Sequence, residues 1–326
     1  MEQLLIGIEI GATKCQASLG KESGDTLETK RLKVVLAEGA AGILRWMQKN
    51  VAELISVGSE IGGTVAGIGV GFGGFIESST GRVLTSVQVD GWQNYYLKDW
   101  FENTFGIPSL IGNDTVSGAY GEYVRGSGKG TRVFFYTNIG SGIGGALILD
   151  GVCYDGMGYG GAYLGHTYIP DWTSAVPGAA RKVEDICSGW AIEKRLRSQD
   201  YVLRDSLLFD LCGAKPETLT CSMLEEAARS GDVFALAEIG RIADSLSTGL
   251  ANVITLFSPE CVAIGGGVAN MGEILLNPVR HLVAEKVLIT AKGRYRIVPC
   301  VLADQVVPVG AILRAADFLG RRKVLA

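Results

Sequence analysis

Two segments far apart in this chain are written on one pattern: a short apolar strand, a glycine-rich turn, then a second strand. The first reads QLLIGIEI, GATK, CQASLG over residues 3–20, and the second reads RVFFYTNI, GSGIGG, ALILDG over residues 132–151. A run of apolar and β-branched residues that stops at glycine is a strand entering a tight turn. Because a strand also follows each turn, both segments are hairpins, and their echo predicts two α/β lobes built on one plan. The length agrees, since 326 residues exceed one ordinary core and suit two of about 100 to 200 residues each.

Between and beyond these hairpins the period of the apolar residues changes. Residues 31–36 continue the first meander. Residues 38–57 place Ile43, Leu44, Met47, Val51, Leu54 and Ile55 at three- and four-residue spacing, which predicts an amphipathic helix. VAGIGVGFGGF is a strand running out into glycine, residues 92–105 read as a helix, and residues 108–112 as a short strand that delivers Asn113 and Asp114 to its end. TVSGAYGEYVRG is the helix that follows. Residues 236–257 carry Ile239, Ile242, Leu246, Leu250, Val253 and Phe257 on one helical face, CVAIGGG is another strand ending in glycine, and VGAILRAADFLG is a closing helix.

Composition excludes several classes of function. The net charge of −4, with no large cluster of lysine and arginine, predicts no nucleic-acid partner. No stretch of 18 apolar residues is present, and MEQLLIGIEIGATK lacks the basic and long apolar regions of a signal peptide, so the expectation is a cytoplasmic protein with no membrane partner. Seven cysteines, none in a C-x-C or C-x-x-C pair, suit packing thiols better than disulfides or a zinc knuckle.

Glycine, at 46 residues, is about twice its average share, and its placement carries the chemistry. Residues 140–145 and 69–74 both match G-x-G-x-x-G, yet a dinucleotide fingerprint needs a helix directly after the glycines, and here strand or turn follows. Glycine-rich hairpin turns have another use, because their backbone N–H groups can converge on a phosphate. Two such turns, with a third glycine run at 265–267, favour a clasped nucleotide over plain β-turns. Asp114 either caps the helix that follows it or serves as the single base that phosphoryl transfer to an alcohol requires. His281 lies on a solvated helix face; His166 anchors its loop or binds a ligand.

Taken in order, the motifs resemble those of the ROK family, which comprises sugar kinases and sugar-responsive repressors. The phosphate turn D-x-G-G-T-K is matched by EIGATK at 9–14, the sugar loop by GFGGFIESSTGRV at 71–83, and G-W-x-N by GWQN at 91–94. NDTVSGAYGEYVRG, GSGIG at 140–144, AYLGH at 162–166, VEDICSG at 183–189 and IGGG at 264–267 match the remaining family segments, so the resemblance covers nearly the whole chain. It implies an actin-like ATPase (ribonuclease H-like) fold with two lobes around a nucleotide and sugar cleft. The smaller lobe would be 1–115 plus the closing helix at 308–326, and the larger lobe 116–307, in a homodimer. It further implies ATP and Mg2+, and transfer of phosphate to a hexose or amino-hexose. Asp114 is then the base, with Gly74, Asn94, Asn113, Tyr163, His166 and Glu184 as sugar contacts. Gly11, Ala12, Thr13, Lys14, Gly140, Ser141 and Gly142 hold phosphates, Gly266 and Gly267 lie beside the adenosine, and Glu9 positions Mg2+ through water.

Four departures from the family pattern stand out. Glu9 replaces an aspartate, Ala12 a glycine, and Tyr163 a sugar-binding glutamate; and residues 167–183 lack the C-x-C-G-x-x-G-C zinc run, so no structural zinc is expected. The first three changes keep open a catalytically weakened sugar sensor of the same fold. A repressor is disfavoured, because the phosphate turn begins at residue 9, where family repressors carry a DNA-binding domain ahead of it.

Overall fold

The computed structural model describes residues 2–86 and 88–320. The first half of the chain forms β1 (Glu2–Ile10), β2 (Lys14–Lys21), β3 (Thr26–Lys33), α1 (Gly39–Glu60), β4 (Gly63–Phe72), β5 (Phe75–Glu77), β6 (Arg82–Thr85), α2 (Leu97–Phe105), β7 (Ser109–Asn113), α3 (Asp114–Arg125), β8 (Val133–Asn138), β9 (Ala146–Leu149) and β10 (Val152–Cys153). The second half forms β11 (Tyr168–Pro170), β12 (Ala180–Lys182), α4 (Glu184–Cys187), α5 (Gly189–Leu196), α6 (Leu207–Leu211), α7 (Cys221–Arg229), α8 (Val233–Phe257), β13 (Cys261–Gly265), α9 (Glu273–Lys286), β14 (Arg296–Pro299) and α10 (Val306–Phe318). Of the lobes expected from sequence, residues 1, 87 and 321–326 lie outside the described residues.

The repeated strand-turn-strand pattern becomes a repeated sheet. One five-stranded sheet has the order β3-β2-β1-β4-β7 and the other β10-β9-β8-β13-β14. In the first, β1 runs antiparallel to β2 and parallel to β4, and β4 runs parallel to β7. In the second, β8 is antiparallel to β9 and β13 is parallel to β14. The antiparallel pairs close through the two glycine turns, whereas the parallel pairs need helical crossovers such as α1.

Two boundaries differ from the sequence reading. β3 starts at Thr26 rather than at Arg31, because a turn in which Gly24 N–H donates to the Lys21 carbonyl brings the strand back early. α2 starts at Leu97 rather than at residue 92. Trp92 is buried edge-on against Phe72 and Tyr95, at 5.1 and 5.3 Å between ring centroids, and Tyr95 bridges to Val83, so residues 92–96 are held as a turn.

The chain forms two compact units, residues 2–136, 146–162 and 301–320 in one, and residues 137–145 and 163–300 in the other. The sequence-based division falls after 115; here α3 stays with the first unit because it packs on α10. In the first unit, α1 turns Ile43, Met47, Val51 and Leu54 into a core shared with Ile6, Ile8, Ile68 and Val70. On the sheet, α10 descends where no side chain intervenes: a Cβ at Gly7 or Gly69 would lie 2.1 Å from the Pro308 carbonyl oxygen or 2.0 Å from that of Ala311. Glu122 of α3 is fully buried, and its carboxylate accepts N–H bonds from Ser127 at 2.8 Å, Val301 at 2.8 Å and Leu302 at 2.7 Å. This staples the segment that leads into α10.

In the second unit, α8 buries Ile239, Ile242, Leu246, Leu250 and Val253. It packs on α4, α7, α9 and β11. The seven cysteines are free thiols, with Cys15, Cys187, Cys212 and Cys261 buried and Cys153, Cys221 and Cys300 partly so. Among the described residues, no helix is long and apolar enough to cross a membrane.

Candidate active site

In the first unit, β7 ends at Asn113 and α3 begins at Asp114. The capping role falls to Asn113, whose Oδ1 accepts N–H bonds from Thr115 at 2.9 Å and Val116 at 3.3 Å, while its Nδ2 donates to the Gly74 carbonyl at 3.1 Å. Asp114 lies beside that cap: its Oδ1 accepts from Thr115 N–H at 2.6 Å and from the Thr115 hydroxyl at 3.2 Å, and its Oδ2 is the oxygen turned toward Gly73. A Cβ on Gly73 would sit 3.2 Å from that Oδ2, so the glycine keeps space open beside the carboxylate. Burial pushes the Asp114 carboxyl above the usual range, opposed by the hydrogen bonds from Thr115.

Glu9, at the end of β1, has a side chain only 13% exposed. It accepts from Gln16 Nε2 at 2.5 Å and lies 3.5 Å from Lys14 Nζ. Burial raises its pKa to about 7, held back by Lys14 and Gln16 and pushed further by the charge of Asp114. Lys14 also pairs with Asp304 at 3.3 Å, and Gln16 donates to the Asp304 carbonyl at 2.6 Å. Gly11 N–H donates to Lys14 O at 3.0 Å and closes the turn, leaving the amides of Ala12 and Thr13 without acceptors among the described residues. Asn94 is exposed, in the left-handed region at φ 50°, with its N–H on the Leu84 carbonyl at 3.1 Å.

In the second unit, Gly140 N–H donates to Gly142 O at 2.9 Å, and Ser141 and Gly142 offer amides with no acceptor among the described residues. Gly266, at φ 90°, abuts this turn so closely that a Cβ would lie 2.5 Å from the Ile139 carbonyl oxygen, with Gly267 following in open space. Glu184 Oε2 accepts the Ile143 N–H at 2.7 Å, tying the first residue of α4 to the turn. Tyr163 precedes a 3-10 turn, Leu164–His166, and meets His166 edge-on at 6.2 Å; the ring of Tyr163 is half-buried and His166 is exposed.

Sequence reasoning missed Gln16, Thr115 and Asp304. Gln16 left a weak signal, a large polar residue set between Cys15 and Ala17, and it is 1% exposed. Asp304 left none, because only tertiary folding brings it to Lys14.

Two glycine turns of this kind, each closing one of two five-stranded sheets of the same order, define the actin-like ATPase fold. The chain belongs to the ROK family, whose model matches residues 5–317. A glucokinase of Thermotoga maritima is 31% identical over 98% of both chains. A ROK family glucokinase from Streptomyces griseus, solved with glucose and AMPPNP, superposes with a TM-score of 0.80 at 27% identity, over 96% of this chain and 99% of that one. A xylose repressor of Caldicellulosiruptor bescii is 25% identical over 94% of this chain and 77% of its own.

Proposed function

We propose that this chain is an ATP-dependent sugar kinase that phosphorylates a hydroxyl of a hexose or amino-hexose, with Asp114 as general base. The observation that carries the reading is the Asp114 carboxylate, with one oxygen fixed by Thr115 and the other open beside Gly73. Its glucokinase relatives support the same class of reaction.

The residues fit a magnesium nucleotide. The amides of Ala12 and Thr13, and those of Ser141 and Gly142, are free to hold phosphate oxygens. Beside Glu9, the buried Gln16 Oε1 has no hydrogen-bond partner among the described residues, and together with the carboxylate it offers the oxygen donors that hydrated Mg2+ suits. When bound, MgATP supplies the phosphoryl group. Asp114 Oδ2 accepts the proton of the sugar hydroxyl as its oxygen becomes the nucleophile, a contribution of about 10² to 10⁴ in rate. Lys14 and the turn amides balance charge on the phosphates. Gly74, Asn94, Asn113, Tyr163, His166 and Glu184 orient the sugar, with Gly266 and Gly267 on the adenosine side. A cytoplasmic homodimer is the proposed working form.

The test is ADP release with glucose, mannose, N-acetylglucosamine and N-acetylmannosamine at millimolar concentration. Turnover of at least one sugar, dependent on Mg2+, supports the kinase. Sugar binding by calorimetry without turnover of any of them would replace it with the sensor reading, which the similarity to a xylose repressor favours.

A further inference from the structure

Residues 167–183 separate His166 from Glu184 and contain no cysteine, yet they are tightly organised. β11 pairs with β12, and at the hairpin base Val183 N–H donates to Thr167 O at 3.0 Å. His166 and Glu184 are the residues immediately outside that base pair, so whatever fixes the hairpin fixes both.

The fixing point is Trp172, just after β11. Its indole N–H donates to Ser245 Oγ of α8 at 2.9 Å. Its ring packs against two guanidinium groups, Arg195 of α5 at 4.9 Å and Arg241 of α8 at 5.3 Å from the centroid. Both arginines bond to one fully buried carboxylate, Glu238, through Arg195 Nε at 2.7 Å and Arg241 Nη2 at 2.9 Å. Tyr201 donates its hydroxyl to the same group at 2.7 Å. Arg195 also reaches α4 itself, donating from Nη1 to the Ile186 carbonyl at 3.0 Å, two residues beyond Glu184. A buried carboxylate with three donors holds its arginines in one geometry, and an aromatic ring packed on both guanidiniums is held there by cation–π attraction.

We infer that Trp172, clamped by Arg195 and Arg241 over Glu238, is a positioning residue that sets His166 and Glu184 for sugar binding. This rests on the sugar-kinase reading above for its kinetic consequence, but its structural consequence can be read without turnover. The clamp reaches the hairpin through Trp172 and α4 through Ile186, so it holds the His166–Glu184 pair from both sides.

The experiment compares wild type with Trp172→Ala, Trp172→Phe and Ser245→Ala. Trp172→Ala should raise KM for the sugar about tenfold or more, leave kcat and KM for ATP within about twofold, and be largely rescued in Trp172→Phe, which keeps a ring against the arginines. By hydrogen exchange, amides in 164–169 and 182–187 should exchange at least tenfold faster in Trp172→Ala, with little change in residues 2–136. Should Trp172→Ala fail to fold, Ser245→Ala carries the same expectations at smaller size. An unchanged sugar KM, or a fall in kcat that merely tracks lost folded protein, overturns the inference. If wild type turns over no sugar, the kinase reading fails, and the exchange arm alone decides: unchanged protection in 164–187 overturns the positioning role, and selective loss there upholds it.

Discussion

Glu9 carries its charge in a desolvated place, and the consequence is a stability that depends on pH. Its pKa in the folded protein is raised by burial from 4.5 to about 7. The folded state therefore holds this proton more tightly than the unfolded chain. The stabilisation from that proton is complete below about pH 4.5 and is lost as pH rises through about 7. A difference of about 2.5 pKa units corresponds to about 3 kcal/mol at 1.36 kcal/mol per unit. Glu9→Gln removes the titration while keeping the shape. Its stability relative to wild type, measured by urea unfolding without Mg2+, should therefore rise between pH 5 and pH 8 by about 2.5 kcal/mol, or roughly 4 °C in Tm. Saturating Mg2+ should shrink that gain, because a bound cation favours the carboxylate that only wild type has. A gain that is the same at pH 5 and pH 8 would refute the reasoning, since it would mean that Glu9 is as well solvated folded as unfolded.

Asp114→Asn should lower kcat at least ~10²-fold while leaving the Kd for ATP within a few-fold, and a variant keeping more than about a tenth of wild-type kcat would remove Asp114 as the base. Because burial lifts the Asp114 carboxyl, kcat/KM for the sugar should fall on acidification with an apparent pKa above that of an ordinary aspartate, as read from a pH–rate profile. Elemental analysis of the purified protein should find no stoichiometric zinc, with residues 168–182 held instead by the β11–β12 pairing and Trp172; about one tightly held zinc per chain would contradict this. Tyr163→Glu should raise kcat/KM for glucose or an N-acetylhexosamine about tenfold or more, because a carboxylate accepts sugar hydroxyls better than a phenol does; no change with any sugar would show that Tyr163 does not face the substrate.

The legible parts of this fold were those written in local pattern. The hairpin glycines at 11–14 and 140–145, the apolar face of α8 and the closing helix follow from periodicity and punctuation, and the structure repeats them. Where a residue's surroundings come from distant sequence, pattern was silent. Asn113 and Asp114 are neighbours with equal capping chemistry, and only Thr115, Val116 and Gly74 in place show that Asn113 takes the cap. The start of α2 failed for a related reason: nothing in residues 92–96 forbids helix, but burying Trp92 against Phe72 does.

The descent of α10 onto Gly7 and Gly69 has a bearing on the order in which the chain matures during synthesis. The first unit is started by residue 2 and finished only by the segment after 300, whereas the second is complete once residue 300 has emerged. At about 5 to 20 residues per second, the sheet of β1 and β4 waits on the order of ten seconds or longer between its own synthesis and the arrival of the helix that covers it. Nascent chains halted at residue 300 should thus leave β1 and β4 open to protease and to chaperones, and release of the last segment should close them together.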